Sequence, residues 1–150
     1  MEQAKKNLKT FSIFVLLFAG ATLIQVLTEL LLGDINSAEI PAGSPENILM
    51  ITKMFLLVVT LIMLLPSVYV GCKGLKIAKK PNASKGHIVW ATIILVFNAI
   101  GLISPVIGMV QQGFSMDSIQ SVGIVLVDMA FYFEYIKYAK QVRELVLSQE

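Results

Sequence analysis

Residues 88–110 read IVWATIILVFNAIGLISPVIGMV, 23 consecutive positions without an Asp, Glu, Lys or Arg. A helix rises about 1.5 Å per residue, so this run is long enough to cross the roughly 30 Å hydrocarbon layer of a bilayer. Its apolar residues are contiguous rather than periodic, which separates a membrane span from a helix half-buried in water. Three more blocks have the same character: 10–32, 49–71 and 119–139. Together the four occupy 90 of the 150 residues, leaving tails and three short connections and no room for a soluble domain. The expectation is an all-α membrane protein, one four-helix transmembrane domain over residues 1–150. Short connections favour antiparallel neighbours, hence an up-down-up-down bundle.

Composition narrows the chemistry. The chain is 56% hydrophobic and 15% charged, against about 25% charged in ordinary soluble domains. A single cysteine, Cys72, excludes an internal disulfide, and a single histidine, His87, excludes a histidine-built metal centre. No cofactor is expected. Gly-rich phosphate loops and the GxSxG and HExxH motifs are absent from the sequence. Asp128 and Glu134 stand about 120° apart on a helix and make no acid/base pair, so catalysis is not expected.

The basic residues set the orientation. Lys5, Lys6 and Lys9 precede the first span, Lys73, Lys76, Lys79, Lys80 and Lys85 join the second to the third, and Lys137, Lys140 and Arg143 close the fourth. That places 11 of the 12 basic residues on one side, with Lys53 alone toward the other. By the positive-inside rule both termini and the lysine-rich turn are cytoplasmic, in a plasma or inner membrane. Tyr69, Trp90, Tyr135 and Tyr138 read as an aromatic belt at the same interface. Lysines, an apolar stretch from Phe11 and Ala19-Gly20-Ala21 have the order of a signal peptide, but apolarity continues to Leu32, so an uncleaved anchor is expected. The lipid bilayer is the first partner, and the five-lysine turn offers contact with anionic headgroups. With a net charge of +2 and no binding module, nucleic acid is not expected. Ser44, ahead of Pro45, and Ser84 read as helix caps.

Depth makes the polar residues informative, because lipid offers no hydrogen bonds. The midpoints of the four spans fall at residues 21, 60, 99 and 129, and Thr22, Thr60, Asn98 and Asp128 each lie within one residue of them. Every span thus brings a hydrogen-bonding group to one layer. Helical spacing extends the layer into inward-facing stripes, through Gln25 and Glu29 on the first span, Lys53, Ser67 and Gly71 on the second, Ala91, Gly101, Pro105 and Gly108 on the third, and Ser121, Tyr132 and Tyr135 on the fourth. A charged group at the bilayer centre costs about 2.5–3.5 kcal/mol on insertion scales, so Asp128 needs a compensating reason. It either lines an ion or proton path or is held by Asn98 as a structural residue.

Glu29 and Lys53 lie at similar depth near the other membrane face. They make either an ion pair or, with Gln25 beneath and Asp34, Glu39, Glu46 and Asp117 around the mouth, an outer vestibule favouring cations. Glu134 reaches Lys137 at i+3. Pro66 and Pro105 interrupt backbone bonding inside two spans. His87 reads as an interface residue.

Three functions fit these residues. The first is a homo-oligomeric channel or carrier for ions or protons, built around the midplane layer, with its route between protomers because four helices enclose little volume. The second is a non-conducting interaction protein, such as an accessory subunit, immunity factor or assembly partner. The third is a small-cation or drug exporter, which the outlying position of Glu29 and the one-sided basic charge disfavour.

Overall fold

The computed structural model describes residues 1–32, 46–114 and 116–149. They form five helices: α1 (Glu2–Leu32), α2 (Glu46–Lys79), α3 (Gly86–Gly101), α4 (Ile103–Gln112) and α5 (Met116–Leu147). No strand forms among the described residues. Four stretches, Glu2–Thr28, Leu57–Lys79, Gly86–Gln111 and Ile119–Leu147, are long and apolar enough to cross a membrane.

The third span is two helices where the sequence suggested one. Pro105 has no N–H to donate to the Gly101 carbonyl, and its ring crowds that carbonyl. The chain stays in a right-handed helical conformation at Leu102, with φ −69° and ψ −21°. Its N–H donates to the Asn98 carbonyl at 3.0 Å, and the Val106 N–H donates to the Leu102 carbonyl at 3.1 Å. The result is a bend, not a reversal. Pro66, by contrast, lies within the unbroken α2.

The helices also outrun the spans. At 31, 34 and 32 residues, α1, α2 and α5 are about 46–51 Å long, some 15–20 Å more than a hydrocarbon layer. α1 begins eight residues before its expected span, and α2 and α5 each end eight residues beyond theirs. All three extensions lie at the lysine-rich end. Ser84 does not cap α3: its backbone N–H donates to Asn82 Oδ1 at 3.1 Å, and Lys85 occupies the cap position without a side-chain bond. The helix starts one residue later than a Ser84 cap requires, so the cap position falls on a lysine, whose side chain has no oxygen to accept a backbone hydrogen. Ser44 and Pro45 lie outside the described residues.

Helix α1 packs on α2 and α5, α3 packs on α2 and α5, and α4 rests on α5. Gly71 faces Leu16 while Gly74 faces Ser12, so α1 and α2 run in opposite directions. A side chain at Gly74 would collide with Ser12 Oγ and with the ring of Tyr135, which is why this crossing needs glycine. Along the α1–α5 seam Phe11 stacks on Tyr138 at 5.6 Å and Phe14 on Phe131 at 5.0 Å. The Tyr135 hydroxyl donates to the Val70 carbonyl at 2.9 Å, joining α5 to α2. Arg143 Nε donates to the Ala83 carbonyl at 3.2 Å and ties the α2–α3 connection to α5.

Burial is lopsided. The buried residues are Ala4, Leu8, Ser12, Val15 and Ala19 on α1, Ser67, Val70, Gly71, Gly74 and Ile77 on α2, His87, Ile88 and Ala91 on α3, and Tyr132, Tyr135, Ile136, Ala139 and Val142 on α5. Every one lies on the basic side of the midplane positions 21, 60, 99 and 129. Among the described residues, the bundle is therefore packed at its lysine-rich end, with no buried side chain beyond the middle.

Two interface expectations change accordingly. Tyr135 is fully buried, not part of an aromatic belt, while Tyr69 and Trp90 are exposed as a belt requires. His87 is 1% exposed, edge-on to the Tyr135 ring at 6.0 Å, and neither ring nitrogen has a hydrogen-bond partner among the described residues.

Candidate functional site

A cavity of about 550 Å³ sits where the packed half gives out. Each helix reaches it one or two turns beyond its buried stripe. Thr22 lies three residues past Ala19, Thr60 seven before Ser67, Asn98 seven past Ala91, and Asp128 four before Tyr132, spacings that keep each residue on the inward face. All four midplane residues line this one cavity. Its buried side is closed by Ala19, Ser67 and Tyr132.

Asn98 Nδ2 donates to Asp128 Oδ2 at 2.7 Å, a bond between α3 and α5 and 30 residues apart in sequence. That length belongs to the short end for an amide donor on a carboxyl group, where an ionised acceptor strengthens the bond. One carboxylate oxygen is thereby engaged by a neutral donor. The Thr22 hydroxyl donates to the Phe18 carbonyl at 3.0 Å, back into its own helix. Among the described residues, Asp128 is the only acidic side chain lining the cavity, and no Lys, Arg or His lines it.

Of the outer group, only Gln25 has a described side chain. Gln25 is exposed and is not among the lining residues. The side chains of Glu29, Lys53, Glu46 and Asp117, together with Asp34 and Glu39, lie outside the described residues. Glu134 and Lys137 form the expected i+3 ion pair at 3.1 Å, away from the cavity. Among the described residues no three His, Cys, Asp or Glu side chains gather as metal ligands would.

Sequence reading missed the aromatic wall. Phe18, Trp90 and Phe97 line the cavity beside the polar layer, and Phe18 meets the edge of Phe131 at 5.7 Å. The signal was present as spacing. Trp90 and Phe97 are seven apart on one helical face, and Phe11, Phe14 and Phe18 follow steps of three and four. In an almost wholly apolar run, aromatic spacing carries no contrast until the neighbouring helix is known.

Comparison of the chain with known protein families, with curated proteins and with solved structures finds no match. What the site does has to be argued from its own atoms.

Proposed function

We propose that the protein is a small multi-pass transporter of ions or protons, in which Asp128 is the exchanging group and Asn98, Thr22 and Thr60 complete a polar layer. The observation that supports this reading is that the Asp128 carboxyl group lines a cavity reached by all four spans; its bond to Asn98 is shared with the structural reading. A carboxyl group is a costly thing to place in lipid, and neutral partners leave its charge for a transported cation to meet. In this reading the helices form an up-down-up-down bundle in the cell membrane with both termini cytoplasmic, as the basic asymmetry requires.

The packing of the lysine-rich half favours a carrier over an open channel. Buried Ser12, Val15, Val70 and Tyr135 occupy the bundle beneath the cavity, so passage needs that half to separate. Because the cavity belongs to one chain, each protomer of a homo-oligomer would hold its own site.

A second reading keeps a foothold. The same hydrogen bond could serve only to join α3 to α5, in a non-conducting interaction protein. Flux from protein-containing liposomes, followed with pH- and cation-sensitive dyes over a pH series, separates the two. Transport predicts flux above empty vesicles and a fall of about tenfold in Asp128→Asn. An asparagine there still accepts the Asn98 bond, so its thermal midpoint in detergent should stay within a few degrees of wild type. No flux at any pH leaves the interaction reading.

A further inference from the structure

We infer that the cavity binds a lipophilic organic monocation, an inference that rests on the transport reading and names its substrate class. The argument is one of solvation. A bare inorganic cation leaves water only where several oxygens converge, about six to eight for calcium-sized ions. Here, among the described residues, Asp128 is the only acidic side chain in the lining, and no three His, Cys, Asp or Glu side chains gather as metal ligands would. The Thr22 hydroxyl gives its hydrogen to the Phe18 carbonyl, and Asn98 turns its amide nitrogen, not its oxygen, to Asp128.

A lipophilic cation has the opposite requirements. Its charge is spread and weakly hydrated, so one carboxylate and aromatic faces compensate for lost water. Among the described residues the cavity supplies one Asp128 carboxyl and no competing cation, and sets Phe18, Trp90, Phe97 and Tyr132 around it. At about 550 Å³ it falls within the roughly 300–1,000 Å³ usual for drug-sized ligands. An inorganic ion would leave most of that space unfilled.

The test uses a feature of the chain. Trp90 is its only tryptophan and lines the cavity, so indole fluorescence of the full-length protein in nanodiscs reports on occupancy. The probes are tetraphenylphosphonium and tetraphenylborate, matched in shape and opposite in charge. The expected result is saturable quenching by the phosphonium, none by the borate, an affinity loss of about tenfold or more in Asp128→Asn, and recovery in Asp128→Glu. The phosphonium/borate comparison on wild type decides the matter even if a variant fails to fold. Equal binding of both probes would overturn the inference in favour of a merely apolar cavity. Absent phosphonium binding, with proton or sodium flux that still depends on Asp128, would overturn it while transport stands. Absent binding together with absent flux would remove both.

Discussion

Gly74 and Gly20 show how much a single missing methyl group means at different places in this protein. A Cβ at Gly74 would meet Ser12 Oγ and the Tyr135 ring, whereas a Cβ at Gly20 would meet nothing within 4 Å. Gly74→Ala should therefore destabilise the protein by about 1–3 kcal/mol, the usual cost of overpacking. Gly20→Ala should be neutral or stabilising by about 0.5–1 kcal/mol, because alanine is the better helix former. Thermal unfolding of the two variants in one detergent checks both. Equal midpoints would mean that α1 and α2 do not cross at Ser12 and Gly74. At this scale the midplane group was readable, since depth follows from counting along a span of known length. Thr22, Thr60, Asn98 and Asp128 meet as that count implies. The Asn98–Asp128 bond was one of two readings the sequence allowed, and choosing it depends on which helices are neighbours. Tyr135 likewise carried two readings, a belt residue beside a lysine and a member of the inward stripe through Asp128, and its burial favours the second.

Among the elements, α3 and α4 make the firmest claim on measurement. Their separation follows from the N–H that Pro105 lacks, so Pro105→Ala should restore a bond to Gly101 and straighten the span. An arm of ten residues swinging through about 20° moves its far end by on the order of 5 Å. Spin labels at Val110 and Ile124 should record a distance change of that order, and an unchanged distance would place the cause of the bend elsewhere. Four spans were evident from apolar run length, which the bilayer itself dictates. The helix ends were not, because lysines interrupt hydropathy without interrupting a helix. Between them the buried positions recur as Ala4, Leu8 and Ser12, as Val70, Gly74 and Ile77, and as Tyr135, Ala139 and Val142. This three-and-four spacing marks helices that pack against each other along one face. The outer acidic mouth and the Glu29–Lys53 relation fall on side chains and segments outside the described residues.

For the molecule as a whole, the lopsided burial predicts a gradient of access. Cys72 is exposed, so labelling begins from a Cys72→Ser background. Thr60→Cys, which lines the cavity, should react with a membrane-impermeant maleimide on the order of tenfold faster than Ser12→Cys in the packed half, since thiol reactivity follows exposure. Reagent added to intact cells should reach Thr60→Cys but not a cysteine at Asn82, which lies in the lysine-rich connection. Modification of the Asn82→Cys protein from outside would reverse the orientation and with it the direction in which the cavity faces.

In the proposed orientation the eight-residue extensions of α1, α2 and α5 put their basic ends in water, where Leu8, Ile77 and Val142 turn inward because water rejects them. Surrounded by hydrocarbon tails, the same side chains would gain almost nothing by hiding. A single polypeptide thus obeys two solvents along its length. Urea, which works through the aqueous phase, should loosen the one end, while the other answers only to the detergent or lipid that bathes it.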